Sequence, residues 1–114
     1  MTVVASYNWQ ALCGRDDLVA GSGVCALFDG EQVALFHLPA EEGEVFAIAN
    51  HDPVGGANVL SRGVVGDVGG RLVVASPLYK QHFDLRTGEC LEEEGVSVPV
   101  YRVRIEGDAV LIAH

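Results

Sequence analysis

An all-β chain, folded as an antiparallel sandwich or barrel, is the class this sequence predicts, and three observations predict it. Short apolar segments bounded by turn residues recur at regular intervals. Fourteen glycines supply the breaks between them. Two segments, VCALF (24–28) and QVALFHL (32–38), are apolar on both faces, as expected of strands enclosed within two layers.

Taken in order, RDDLVAG (15–21) is the one stretch able to hold a helical turn. VCALF, the Asp29-Gly30 pair and QVALFHL then read as a hairpin with a tight turn. The acidic EEGE (41–44) turns the chain into VFAIAN (45–50), and Gly69-Gly70 turns it into RLVVAS (71–76). ASPLYKQHFDLRTGEC (75–90) contains a Pro-bearing turn, a Phe-Asp-Leu strand and a Thr-Gly hairpin. VPVYRVRI and AVLIA flank the Glu106-Gly107-Asp108 turn as a final hairpin. Strict alternation from Tyr101 to Ile105 gives that strand one wet and one buried face.

With 114 residues, the chain is expected to be a single domain, 1–114. A domain of that size hides roughly two-thirds of its unfolded surface, enough for a core without staples. Seven Lys and Arg against 16 Asp and Glu leave a net charge of −9, which repels phosphate backbones and anionic lipid. Nucleic acid and membrane surfaces are therefore not expected partners, and the acidity serves solubility. Cys13, Cys25 and Cys90 form no even-numbered framework and no Cys-x-x-Cys pair, which suits a reducing cytoplasm. MTVVASYNWQ lacks the basic and apolar regions of a signal peptide, and no apolar run approaches the ~20 residues of a membrane span.

Four histidines, His37, His51, His82 and His114, invite a metal reading, but no two His or Cys fall at ligand spacing. His37, in an apolar strand, is expected to be partly buried with its ring hydrogen-bonded. GDVGG (66–70) is a turn with no helix behind it, so it is no phosphate cradle, and no Gly-x-Ser-x-Gly occurs. The consecutive Glu92, Glu93 and Glu94 read as a solvated loop. No self-sufficient catalytic site is present in the pattern.

Two stretches carry a specific resemblance. VFAIANHDPVGGANVLSRG (45–63) and VVASPLYKQHFDLRTGEC (73–90) resemble the two cluster-binding loops of Rieske iron–sulfur domains. In that family the first loop reads Cys-Pro-His after an Ala-Ile strand, and the second reads Cys-Pro-x-His before Phe-Asp-Leu and Thr-Gly. Pro53, Pro77, Phe83, Asp84, Thr87 and Gly88 match the pattern. The four ligand positions fall on Asp52, Val54, Ser76 and Tyr79, and all four depart from it. A Rieske centre takes two thiolates on one iron and two imidazoles on the other. Asp52, Ser76 and Tyr79 offer only oxygen and Val54 offers nothing, while the three cysteines lie outside the loop tips. The resemblance thus implies a Rieske-like sandwich or barrel with two hairpin loops at one tip, holding neither metal nor cofactor.

The strings NHDP (50–53), VLSRGVVGD (59–67), ASPLYKQHFDL (75–85) and TGECL (87–91) are similar to one branch of that family. So is the early W-x-x-L-C from Trp9 to Cys13. The branch is the small subunits of cytoplasmic, assimilatory NAD(P)H-dependent nitrite reductases, and the likeness runs from Trp9 to about Val110. It implies a large-subunit partner carrying FAD, an iron–sulfur cluster and siroheme, which reduces nitrite to ammonium. This chain would be a non-catalytic subunit that binds and supports that partner through the former cluster end, at Asp52, Tyr79, Lys80, Gln81 and His82. Each of these has a plainer role. Asp52 caps a turn, Tyr79 packs across the loops into the cluster's volume, Lys80 and Gln81 are solvated, and His82 is structural. Lys80 stands where the family usually has glycine. Two other readings use the same scaffold: a free-standing interaction or regulatory module, which would lack the coloured partner, and a ferredoxin with unusual ligands, which would carry iron.

Overall fold

The computed structural model describes residues 8–113, so the N-terminal segment and His114 lie outside the described residues. Strand β1 (Gln10–Gly14) leads into a 3-10 turn at Arg15–Asp17, inside the stretch read as able to hold a helical turn. The Asp17 carboxylate fastens that turn by accepting the Gly14 N–H at 2.8 Å. Strands β2 (Gly23–Phe28) and β3 (Glu31–His37) pair as the expected hairpin. Asp29 and Gly30 take φ of +50° and +78°, the left-handed pair that a type I′ turn needs and that Asp-Gly tolerates.

Strand β4 (Val45–Ala49) pairs with β3 along its length. A two-residue ribbon follows, β5 (His51–Asp52) with β6 (Ala57–Asn58). Strands β7 (Val64–Val68), β8 (Arg71–Ala75) and β9 (His82–Asp84) form a three-stranded antiparallel sheet. Strands β10 (Val100–Glu106) and β11 (Ala109–Ala113) are the final hairpin. The larger sheet has the order β1-β11-β10-β4-β3-β2 and curls into a nearly closed antiparallel barrel.

Strand β3 explains why the layers hold together. Val33 and Leu35 face a cluster inside the curled sheet with Phe28, Ala47 and Ile112. Ala34 and Phe36, on its other face, pack with Ile48 against Val74, Phe83 and Leu85 of the smaller sheet and its following turn. Phe36 and Phe83 are fully buried, and each such side chain contributes about 1.5–3 kcal/mol by leaving water. The expectation for QVALFHL is thus met.

The same expectation for VCALF is not. Strand β2 ends the sheet, and only its Val24, Ala26 and Phe28 face is covered. Cys25 is exposed and Leu27 is 69% exposed.

Candidate functional site

The two loops that carry the resemblance meet at one end of the molecule. The first leaves β4 at Asn50, whose side chain anchors it in three directions. Its amide donates to Gln32 Oε1 at 3.0 Å and to the Asn58 carbonyl at 3.2 Å, and its oxygen accepts the Ser61 N–H at 2.7 Å. Asn50 is 2% exposed, so each unmade bond would leave a buried polar atom without water.

Asp52 is fully buried and folds the tip around itself. Its Oδ1 accepts the Val54 and Gly55 N–H groups at 2.8 and 3.0 Å, the side-chain turn that Asp favours. Its Oδ2 accepts the Ser76 hydroxyl at 2.5 Å, and Ser76 is also fully buried. The two positions that match the family's cysteines are therefore joined to each other. Burial is the largest influence on the Asp52 carboxyl and opposes its ionisation. The Ser76 hydroxyl, the Gly55 and Val54 N–H groups and nearby His51 together outweigh it and hold the carboxyl below the usual Asp range.

The second loop closes on itself through Ser76. Its N–H donates to the Gln81 carbonyl at 2.8 Å, its carbonyl accepts the Lys80 N–H at 3.1 Å, and its Oγ accepts the Leu78 N–H at 3.3 Å. Leu78 lies directly on the first loop. A Cβ placed on Gly55 would stand 2.3 Å from Leu78 Cδ1, so only glycine allows the loops to approach this closely.

Beneath this tip a second aspartate works the same way. Asp84 Oδ1 accepts the Arg86 and Thr87 N–H groups at 2.7 and 3.0 Å, and its Oδ2 accepts Arg71 Nε at 2.8 Å. Burial pushes its carboxyl upward most strongly, but Arg71 and the two N–H groups prevail and hold it low. The Phe-Asp-Leu, Thr-Gly pattern is this turn.

The residues expected at the tip separate into base and surface. Asp52 and Ser76 are base. Val54 is half-buried against the core cluster of Phe36 and Phe83. Tyr79 does not fill the space between the loops, as its plainer reading required; it is 67% exposed. Leu78, 41% exposed, and Lys80 stand beside it in solvent. Lys80 takes φ of +64°, the left-handed region, which gives a physical reason for glycine at that position in the family. Gln81 is half-buried, and its side-chain oxygen is buried with no donor among the described residues.

His82 braces β9: its N–H donates to Glu92 Oε1 at 2.6 Å and its Nδ1 lies 2.7 Å from Glu92 Oε2. Burial acts most on the Glu92 carboxyl, upward, but the His82 bonds win and keep it low. His37 Nε2 lies 3.2 Å from Glu44, the ring bond expected of it. Asn50, Gly55 and Glu92 stand outside the residues expected at the tip. An Asn at a strand end followed by His-Asp-Pro, and a Gly-Gly pair inside a loop, were the available signals.

Comparison with known proteins places this geometry. A model of the Rieske-like [2Fe-2S] domain matches residues 8–113. The chain is 50% identical over 103 residues to the nitrite reductase (NADH) small subunit of Salmonella typhimurium, covering 90% of this chain and 94% of that protein. The solution structure of the Escherichia coli protein NirD superposes with a TM-score of 0.84 at 42% identity, covering 96% of this chain and 98% of that one. A third match, 38% identical over 109 residues, lies within the nitrite reductase [NAD(P)H] large subunit of Klebsiella oxytoca. There it covers 96% of this chain and 11% of that protein.

The two-iron cluster in the description of the domain does not fit these loops. Its thiolate positions hold a carboxylate and a hydroxyl already bonded to each other, and its imidazole positions hold Val54 and an outward Tyr79. Among the described residues, no three His, Cys, Asp or Glu side chains converge as a metal site.

Proposed function

The chain belongs to the Rieske-like family of nitrite reductase small subunits, and from that premise we propose that it is the cofactor-free small subunit of a cytoplasmic NAD(P)H-dependent nitrite reductase. In that role it binds the flavin- and siroheme-bearing large subunit that reduces nitrite to ammonium in nitrate assimilation. The chain brings no redox centre of its own. It acts by holding the large subunit's shape or its access surface, with the loop tip as the contact.

The observation that carries the contact is the contrast within the tip. Leu78, Tyr79 and Lys80 project into solvent from a base of buried, hydrogen-bonded Asp52 and Ser76. An exposed aromatic with a polar end on a rigid base is the usual form of an interface anchor. The Klebsiella oxytoca match adds support, because there a domain like this one lies within a protein named as the large subunit.

The test is a calorimetric titration of the purified large subunit with wild-type chain, Tyr79→Ala and Lys80→Glu. Truncating a central aromatic anchor is expected to weaken binding by about 2 kcal/mol, roughly thirtyfold. The thermal midpoint of each free variant should stay close to wild type, since neither side chain is buried. Unchanged affinity in both variants would move the contact surface elsewhere.

A further inference from the structure

Strands β4 and β10 share only two ladder pairs, Val100 with Ile48 and Tyr101 with Ala47. Beyond Tyr101, β10 continues its ladder with β11 from Arg102 to Glu106, while its other edge parts from β4. A groove of about 650 Å³ opens in the wedge, between Val45 and Phe46 on one side and Tyr101 to Val103 on the other. Trp9 and Arg86 also line it. The Ala49 N–H to Pro99 carbonyl bond, 2.9 Å, fixes which way the backbone faces. The odd-numbered residues of β10 turn their amides toward β4, so Val103 presents its N–H and C=O to the wedge, where β4 gives it no ladder partner.

The groove also inverts the charge of the molecule. In a chain with 16 acidic and seven basic residues, no Asp or Glu among the described residues lines it, whereas Arg86 and Arg102 do. The Arg86 guanidinium stacks 4.9 Å above the Phe46 ring, and Arg104 stacks 4.3 Å above Trp9 while pairing with Glu106. Arginine, tryptophan and tyrosine around one concavity are the residue types that concentrate binding energy at interfaces. This site is not the loop tip: from Val45 to Asp52 the chain runs seven residues, roughly 20 Å of extended strand.

We propose that this groove docks an extended acidic segment of the large subunit. The segment adds its backbone to the β10 edge at Val103, sets carboxylates against Arg86 and Arg102, and lays an apolar side chain beside Phe46 and Trp9. Two groups decide for an extended segment over a small anion: the strand edge, which a small anion leaves unpaired, and the apolar walls between the arginines. The proposal rests on the large subunit being the partner, and it adds a second contact remote from Tyr79.

The experiment titrates purified large subunit with wild-type chain and with the double variant Arg86→Glu/Arg102→Glu, at low and at moderate salt. It also follows amide exchange of Val103 in the free and bound wild-type chain. Both arginines are partly solvent-facing, and circular dichroism verifies that the variant folds. The expected result is binding weaker by about tenfold to a hundredfold, a flatter salt dependence, and slower Val103 exchange in the complex. Equal affinity of variant and wild type, or Val103 exchange unchanged by binding, overturns the groove while leaving the partnership intact. No binding by the wild-type chain defeats the partnership itself. Val103 already protected in the free chain, or protected only as chain concentration rises, assigns the groove to this chain's own residues or to a second copy, and overturns the proposal.

Discussion

Asp52→Ala is expected to lower the stability of the free chain by at least about 1–3 kcal/mol, the cost of leaving one buried polar group without its partner. The substitution strands the buried Ser76 hydroxyl together with the half-buried Val54 and Gly55 N–H groups. Asp52→Asn keeps an oxygen for the two N–H groups and should cost markedly less. Urea denaturation reads both, as a shift of the midpoint at constant slope. A wild-type midpoint for Asp52→Ala would mean that the loops are held by something other than this carboxylate.

The same carboxylate gives the stability an acid limb with a defined sign. Asp52, Asp84 and Glu92 are all held below their ordinary values, 3.8 for Asp and 4.5 for Glu. A group depressed in the folded state stabilises above its unfolded pKa, and that stabilisation is lost as pH falls through the folded value. The urea midpoint should therefore be insensitive to these groups near neutrality and fall from about pH 4 downward. In Asp52→Asn the fall should be shallower, since one of the three contributors no longer titrates.

The second large effect is a gain. Asp52→Cys, Val54→His, Ser76→Cys and Tyr79→His together restore the four ligand types at the four matching positions. The apo variant loses the Asp52–Ser76 bond and should melt well below wild type. Reconstitution with iron and sulfide should recover stability in the fraction that loads, with the visible absorption of a two-iron centre. Two features limit loading. Val54 packs against the core, so a histidine there must turn outward to reach iron. Lys80 follows the second imidazole at φ +64°, and adding Lys80→Gly relieves that left-handed strain and should raise the loaded fraction. A well-folded five-site variant that takes up no iron would show that these loops do not have cluster-loop shape.

The strands were legible wherever hydrophobic pattern decides them. Val33 to Phe36 are buried on both faces because two sheets close over β3, and an unbroken apolar run reports that. β2 has an equally apolar sequence and only one covered face, since Leu27 points outward from the end strand. Apolarity cannot distinguish the two, because sheet position is set by pairing partners rather than by the strand itself. GDVGG, read as a turn, is a turn only at Gly69-Gly70; Gly66 to Val68 belong to strand β7, which has little burial and exists through its pairing with β8. At the site, the residue positions were readable and their contacts were not. That Asp52 and Ser76 touch follows from a fold that brings together residues 24 apart in sequence.

A tip closed by two side chains of the same polypeptide also changes the order in which such a subunit is made. A loop pair tied by iron and sulfide stays open until another machine delivers the metal, and it opens again when oxidation or chelation removes it. The Asp52–Ser76 tie needs no delivery. It forms as the two sheets come together, and proton activity rather than electron supply decides whether it holds. In the role proposed above, this tip would need no metal delivery before the chain meets the large subunit.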